Sequence, residues 1–159
     1  MSNKGDSFKK ARDYAFLLLK FRLRSEKEIR ERLIRKKFDI AVINEVVEFL
    51  KVRNFIDDNV FAKSWIESRL KKPLGIRRLK QELKAKGIDS SIIEENAQEL
   101  TKGYSEAEIV ERIAKGRLNK LKKIEPQKAK MRLYGWFLRR GFSPEIISDC
   151  LSQICKQTY

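Results

Sequence analysis

The chemistry open to this chain is narrow. Histidine is absent, which removes the commonest general base near neutral pH and the commonest nitrogen ligand for metals. Cys150 and Cys155 are five residues apart, not the spacing of a metal clip. Both fall on apolar-periodic positions and read as small buried hydrophobes, in a chain that has no disulfide framework and suits a reducing compartment. The carboxylate pair Asp57–Asp58 lies where a loop meets a helix. Capping and attraction to a helix N-terminus account for it better than a cation does. No phosphate loop, Gly-rich dinucleotide turn or nucleophile elbow is present. The expectation is a protein that binds rather than catalyses, with no cofactor and no metal.

What the chain has in quantity is positive charge: 37 Lys and Arg against 22 Asp and Glu, for a net charge of +15. That balance points to a polyanion or an acidic partner. The charge is also sorted. Segments 25–38, 74–88 and 126–142 carry sixteen Lys/Arg and four Asp/Glu, whereas segments 39–50, 89–100 and 143–154 carry nine Asp/Glu and no Lys or Arg. General solubility does not require such sorting.

These charges must be held by helices. Apolar residues recur at helical spacing almost throughout, and only 3 Pro and 7 Gly interrupt the 159 residues. Residues 8–22 place Ala11, Ala15, Leu18 and Leu19 on one stripe. Ser25 with Glu28, and Ser105 with Glu108, read as capping boxes, in which hydroxyl and carboxylate exchange bonds with free backbone N–H groups. Asp39 reads as an N-cap, Asp89 opens a further helix, and Gly87 suits a helix C-terminus, where a positive φ is needed. Pro126 and Pro144 stand at first helical positions, where the missing N–H is harmless, and Ser143 caps the last helix.

The pattern repeats. Ile29, Leu33, Phe38, Ile43, Val47 and Leu50 have the same internal spacing as Leu79, Leu83, Ile88, Ile93, Ala97 and Leu100, and again as Leu133, Phe137, Phe142, Ile147, Leu151 and Ile154. Three tandem three-helix repeats follow, over residues 1–54, 55–103 and 104–159. A unit of this size rarely folds alone, so neighbours are expected to share buried surface. The fold expected is all-α, an elongated and curved array of three-helix repeats.

On the middle helices, Lys27, Glu31 and Arg35 point away from the core stripe and read as a solvated i,i+4 ladder. In the second repeat Arg77 and Lys84 point away, and in the third Lys128, Arg132 and Arg139, with no acid on that helix. There a binding stripe is the better reading. Phe61 and Trp65 read as core, and Tyr134 and Trp136 as buried between repeats, with stacking on a base or partner the alternative. Gly135, inside a helix on its outer side, has no account from sequence. No apolar run reaches the length of a membrane span, and the N-terminal stretch lacks the pattern of a signal peptide. A cytoplasmic protein is expected.

The stretch Asn54 to Asp89, NFIDDNVFAKSWIESRLKKPLGIRRLKQELKAKGID, resembles the signature of the bacterial RecX regulators of recombination. The matching residues are Asp57, Asp58, Phe61, Ala62, Trp65, Arg69, Gly75, Arg78, Leu79, Glu82, Leu83, Lys86, Gly87 and Ile88. Ser25, Glu26, Glu28, Ile29, Leu33 and Lys37 look like the family's first unit, and Arg132 to Phe142, RLYGWFLRRGF, is similar to its closing one. The turn Lys72-Pro73-Leu74-Gly75 departs from the family's usual Gly-x-Gly-Pro-like form.

The resemblance implies three tandem three-helix units. It also implies a regulator that binds RecA and the RecA–DNA filament and inhibits its recombinase, ATPase and coprotease activities, acting in DNA repair, recombination and the SOS response. Sequence-nonspecific binding to single- or double-stranded DNA is implied as well. Partner- or DNA-contacting candidates are Arg35, Arg77, Arg78, Lys84, Lys86, Lys128, Arg132, Arg139 and Arg140. Asp57, Asp58, Phe61, Trp65, Arg69, Gly75, Leu79, Glu82, Leu83 and Gly87 are expected to be structural. A monomer is expected. The alternative is a stand-alone DNA-binding helical protein.

Overall fold

The computed structural model describes residues 3–158. Among the described residues there are nine helices and no strand: α1 (Lys4–Phe21), α2 (Glu26–Arg35), α3 (Ile40–Val52), α4 (Asp58–Arg69), α5 (Ile76–Ala85), α6 (Ser90–Leu100), α7 (Glu106–Lys120), α8 (Pro126–Arg139) and α9 (Pro144–Thr158). The chain is an all-α tandem array of three-helix repeats. The eighteen apolar positions that define the repeat are buried, except Phe38 and Leu100, which are half-buried. The first helix starts four residues earlier than the apolar stripe suggests, because the Asn3 side chain caps it through Gly5 N.

The same turn joins the middle and third helices of each repeat. Phe38 N donates to Leu33 O at 3.3 Å, Ile88 N to Leu83 O at 3.1 Å and Phe142 N to Phe137 O at 3.3 Å. The shorter partner bonds run from Lys37 N to Ile34 O, Gly87 N to Lys84 O and Gly141 N to Leu138 O. This is the Schellman arrangement, and the residue at its centre takes a positive φ: 63° at Lys37, 78° at Gly87 and 82° at Gly141. Two of the three turns use glycine, as their geometry favours, and the first forces a lysine into it.

Contacts divide the chain into two compact units. One comprises the residues up to Trp65 together with Leu83–Asn96; the other comprises Ile66–Glu82 together with the chain from Ala97 onward. In the first, Ala11, Ala15 and Leu18 of α1 pack with Ile29 and Leu33 of α2 and with the buried face of α3, Val42 to Leu50. Phe8, Phe16, Phe49 and Phe55 add edge-to-face ring contacts at its margin. In the second, Val110 and Ala114 of α7 pack with Leu133 and Phe137 of α8 and with Phe142, Ile147, Leu151 and Ile154.

Each unit contains the same joint. In the first, the N-terminus of α2 meets the last turn of α5: Ser25 Oγ donates to Lys86 O at 2.7 Å and Lys27 Nζ to Ala85 O at 3.1 Å. In the second, the N-terminus of α5 meets the last turn of α8: Gly75 N donates to Arg140 O at 2.9 Å and Arg78 Nη1 to Arg139 O at 3.1 Å. Donors thus meet the carbonyl end of a helix, where free acceptors and negative potential collect.

A carboxylate closes each joint. Asp58 Oδ1 accepts from Glu26 N at 2.9 Å, and Glu106 Oε1 accepts from Ile76 N at 2.7 Å. Each acid is the first residue of its own helix, yet it caps the N-terminus of a different one.

Several local expectations need correction. Asp57 caps α4 through Asn59 N and Val60 N, but Asp58 serves α2 instead. Asp39 occupies the N-cap position of α3 without a side-chain bond. Ser25 and Glu28 form the full capping box, whereas at α7 only the Ser105 hydroxyl half is made, accepting from Glu108 N. Cys150 and Cys155 are free and half-buried rather than buried. Burial still raises the Cys150 thiol above its ordinary range, with Glu111 and Asp149 adding to it.

Candidate polyanion and partner interface

In the first repeat most cations are spoken for. Arg30 pairs with Glu26 at 3.0 Å and bonds Asn44 Oδ1, and Lys51 reaches Glu26 from α3 at 3.1 Å. Of the expected ladder only Lys27–Glu31 forms, at 3.8 Å. Arg35 lies exposed at the end of α2 and makes no ion pair among the described residues.

Glu28 is the best-held acid of this unit. Arg22 Nη2 is 2.9 Å from it, Lys86 Nζ 2.7 Å and Ser25 N 3.2 Å. Burial works against its charge, but these donors outweigh burial and bring its pKa down to about 2. Asp58 goes the other way: burial raises its carboxyl above the usual range despite the bond from Glu26 N.

The second-repeat candidates divide into two kinds. Lys86 is held against Glu28 and lies 5.1 Å over the Trp65 ring, which itself stacks on Phe61 at 5.8 Å. Arg78 bonds Glu82 at 3.3 Å and Arg139 O. Arg69 takes the same carboxylate bidentately, at 2.7 and 2.8 Å. These side chains fix the joints. Arg77 and Lys84 are exposed, and Arg77 faces Glu145 closely enough to help lower its pKa, after the stronger bond from the Ser143 hydroxyl. Leu79 and Leu83 are fully buried. Gly87 has its positive φ, and a Cβ there would meet the Lys27 side chain at 2.6 Å. Gly75 approaches the backbone of Gly141 so closely that a Cβ would stand 2.0 Å from its carbonyl.

The third repeat holds a different surface. Lys128 pairs with Glu125, the residue before α8, at 3.3 Å, so it does have an acidic neighbour. Arg132, Arg139 and Arg140 are exposed and make no ion pair among the described residues. Trp136 lies half-buried among them. The guanidinium carbon of Arg117, from α7, is 4.0 Å from its ring centroid and that of Arg140 is 4.2 Å. Two clefts flank the indole. One, of about 420 Å³, is lined by Arg117, Arg132, Gly135, Trp136 and Arg139 among others. The second, of about 320 Å³, is lined by Arg69, Leu74, Arg78, Trp136, Arg139 and Arg140.

Sequence reasoning named three of these arginines but missed Arg117, which stands fifteen or more residues from the others. It read Trp136 as buried between repeats; the indole does line a cleft with Arg69, Leu74 and Arg78 of the second repeat, but it is half-buried. Gly135 lines the larger cleft, where a Cβ would come within 3.2 Å of Arg139 Nη1, the tip of a flexible side chain. Among the described residues no group of acids and cysteines could hold a metal ion, and no helix is long and apolar enough to cross a membrane.

Comparison with known proteins matches this arrangement repeat by repeat. Residues 11–50 match the family description of the first three-helix domain of RecX, residues 57–95 the second and residues 102–151 the third. The Regulatory protein RecX of Clostridium botulinum is 31% identical over 155 residues, which is 96% of this chain and 72% of that protein. The chain belongs to the RecX family. The RecX of Bacillus subtilis is 33% identical over 151 residues, 94% of this chain and 57% of its own length. The crystal structure of RecX from Lactobacillus salivarius superposes with a TM-score of 0.81 at 23% identity, covering 94% of this chain and 97% of that one. At that identity the RecX crystal structure speaks for the fold alone.

Proposed function

We propose that the chain regulates the RecA recombinase by binding RecA and the RecA–DNA filament, and that it inhibits strand exchange, ATP hydrolysis and coprotease activity in recombination, repair and the SOS response. The observation that carries the reading is membership of the RecX regulatory family in a chain where Arg35, Arg132 and Arg139 of the middle helices are exposed and make no ion pair among the described residues. Arg35, Arg77, Lys84, Arg132, Arg139 and Arg140 are the contacts we put forward, with Lys128 beside them. Repeats bounded at 1–54, 55–103 and 104–159 would each present one such helix, so individually weak contacts would combine by multivalency.

The test is RecA ATPase on single-stranded DNA with this protein added below stoichiometry. The expected result is a falling rate. An unchanged rate at every ratio refutes the reading. The unpaired arginines around Trp136 favour a second reading, a DNA binder that acts without RecA. Tight binding in a gel shift together with no effect on RecA would select it.

A further inference from the structure

Like charges crowded on one surface without counter-charges need a reason. The Arg117 and Arg140 guanidinium groups both lie over one indole, so they are within about 8 Å of each other, no farther than the screening length at physiological salt. Arg132 and Arg139 are seven residues apart on α8. That separation returns them to one face, about 10 Å apart along the axis. Among the described residues none of the four has an ion pair, although carboxylates elsewhere in the same unit are used in joints. Gly135 lines the larger cleft without a side chain, in the middle of a helix that would be firmer with alanine.

We propose that the clefts around Trp136 form a binding site for a single nucleic-acid strand, with Arg117, Arg132, Arg139 and Arg140 on successive phosphodiester groups. The ligand is recognised by its chemistry. All four cations are arginines, whose planar forks match phosphate oxygens two at a time. They line two clefts that meet at one indole whose face is covered by guanidinium groups, which suits a flexible strand carrying evenly spaced charge and unpaired bases that stack on guanidinium planes. The site is indifferent to base sequence, since apart from arginines and the indole the two clefts are lined by Leu, Met and Gly, which carry no pattern for base edges. This site deepens the DNA part of the function proposed above and needs no RecA. Its failure therefore leaves the ATPase result untouched, and the converse holds too.

The experiment is fluorescence anisotropy of a labelled oligothymidylate with the full chain over a range of NaCl concentrations. Four phosphate contacts give a slope of log affinity against log salt of roughly −3, and removing two brings it to roughly −1.5. Arg132→Gln with Arg139→Gln is expected to produce that change and to weaken binding about tenfold or more at low salt. Lys9→Gln with Lys20→Gln removes the same charge from exposed positions on α1 and is expected to leave the slope alone. Gly135→Leu fills the cleft without altering charge or harming the helix, and is expected to weaken binding as well.

Equal losses from the arginine and lysine pairs would mean diffuse attraction and overturn the site. So would an unchanged slope in the arginine pair, or full affinity in Gly135→Leu. Competition by polyglutamate as strong as by unlabelled oligothymidylate at equal charge would assign the surface to an acidic protein instead, and overturn the proposal.

Discussion

Adding one methyl group at Gly75 should separate two helices. A Cβ on Gly75 would lie 2.0 Å from both the carbonyl carbon and the oxygen of Gly141, and 2.1 Å from Phe142 N, whereas ordinary contact begins at 3.4 Å. The atoms it meets are backbone, so no side chain can swing aside. The N-terminus of α5 must retreat by about 1.4 Å, the shortfall between those two distances. The Gly75 N to Arg140 O bond, 2.9 Å in the native joint, is then lost, and the Glu106 cap on Ile76 N is strained. The bond is worth about 1 kcal/mol and forced overpacking about 1–3 kcal/mol. Alanine's smaller unfolded-state entropy returns less than about 1 kcal/mol. Gly75→Ala should thus destabilise the second unit by about 1–4 kcal/mol, read as a lower urea midpoint in tryptophan fluorescence. Gly75→Ala should also weaken oligonucleotide binding, because Arg139 and Arg140 sit at the joint that moves. A midpoint shift worth less than about 0.5 kcal/mol, the size of an ordinary surface change, would refute the close approach.

Two further outcomes follow from the first unit. Lys37→Gly relieves a left-handed lysine at φ 63° and should stabilise the chain by about 1 kcal/mol in the same urea assay. Glu28 has a folded pKa of about 2 against an ordinary 4.5. A lowered acid contributes stability above its unfolded pKa and loses it as pH falls through the folded one. Stability should therefore fall between about pH 5 and pH 2, by at most about 3 kcal/mol from this group. Asp58, with its carboxyl raised by burial, acts in the opposite sense. Glu28→Gln should flatten the fall, and acid titration of the two proteins side by side measures it.

The sequence by itself determined what depends on near neighbours along the chain. A buried stripe on a helix needs apolar residues every three or four positions, so the repeated spacing from Ile29 to Ile154 was readable and its positions are buried or half-buried. Ser25 with Glu28 lies within one turn and was legible for the same reason. So was the positive φ at Gly87, because glycine favours it. The equivalent turn at Lys37 carries no such mark.

Tertiary structure alone decided which distant groups meet. Nothing local tells Asp58 to cap α2 or Glu106 to cap α5, since each stands at a helix start where capping its own helix looks sufficient. Nothing local distinguishes Arg78 and Lys86, held at the joints, from Arg132 and Arg139, which make no ion pair among the described residues. A cation's availability is set by what folding places within a few ångströms of it, and that distance is not written in its own stretch of chain. Arg117 shows this most plainly: it joins Arg140 over Trp136 only because α7 and α8 pack in one core.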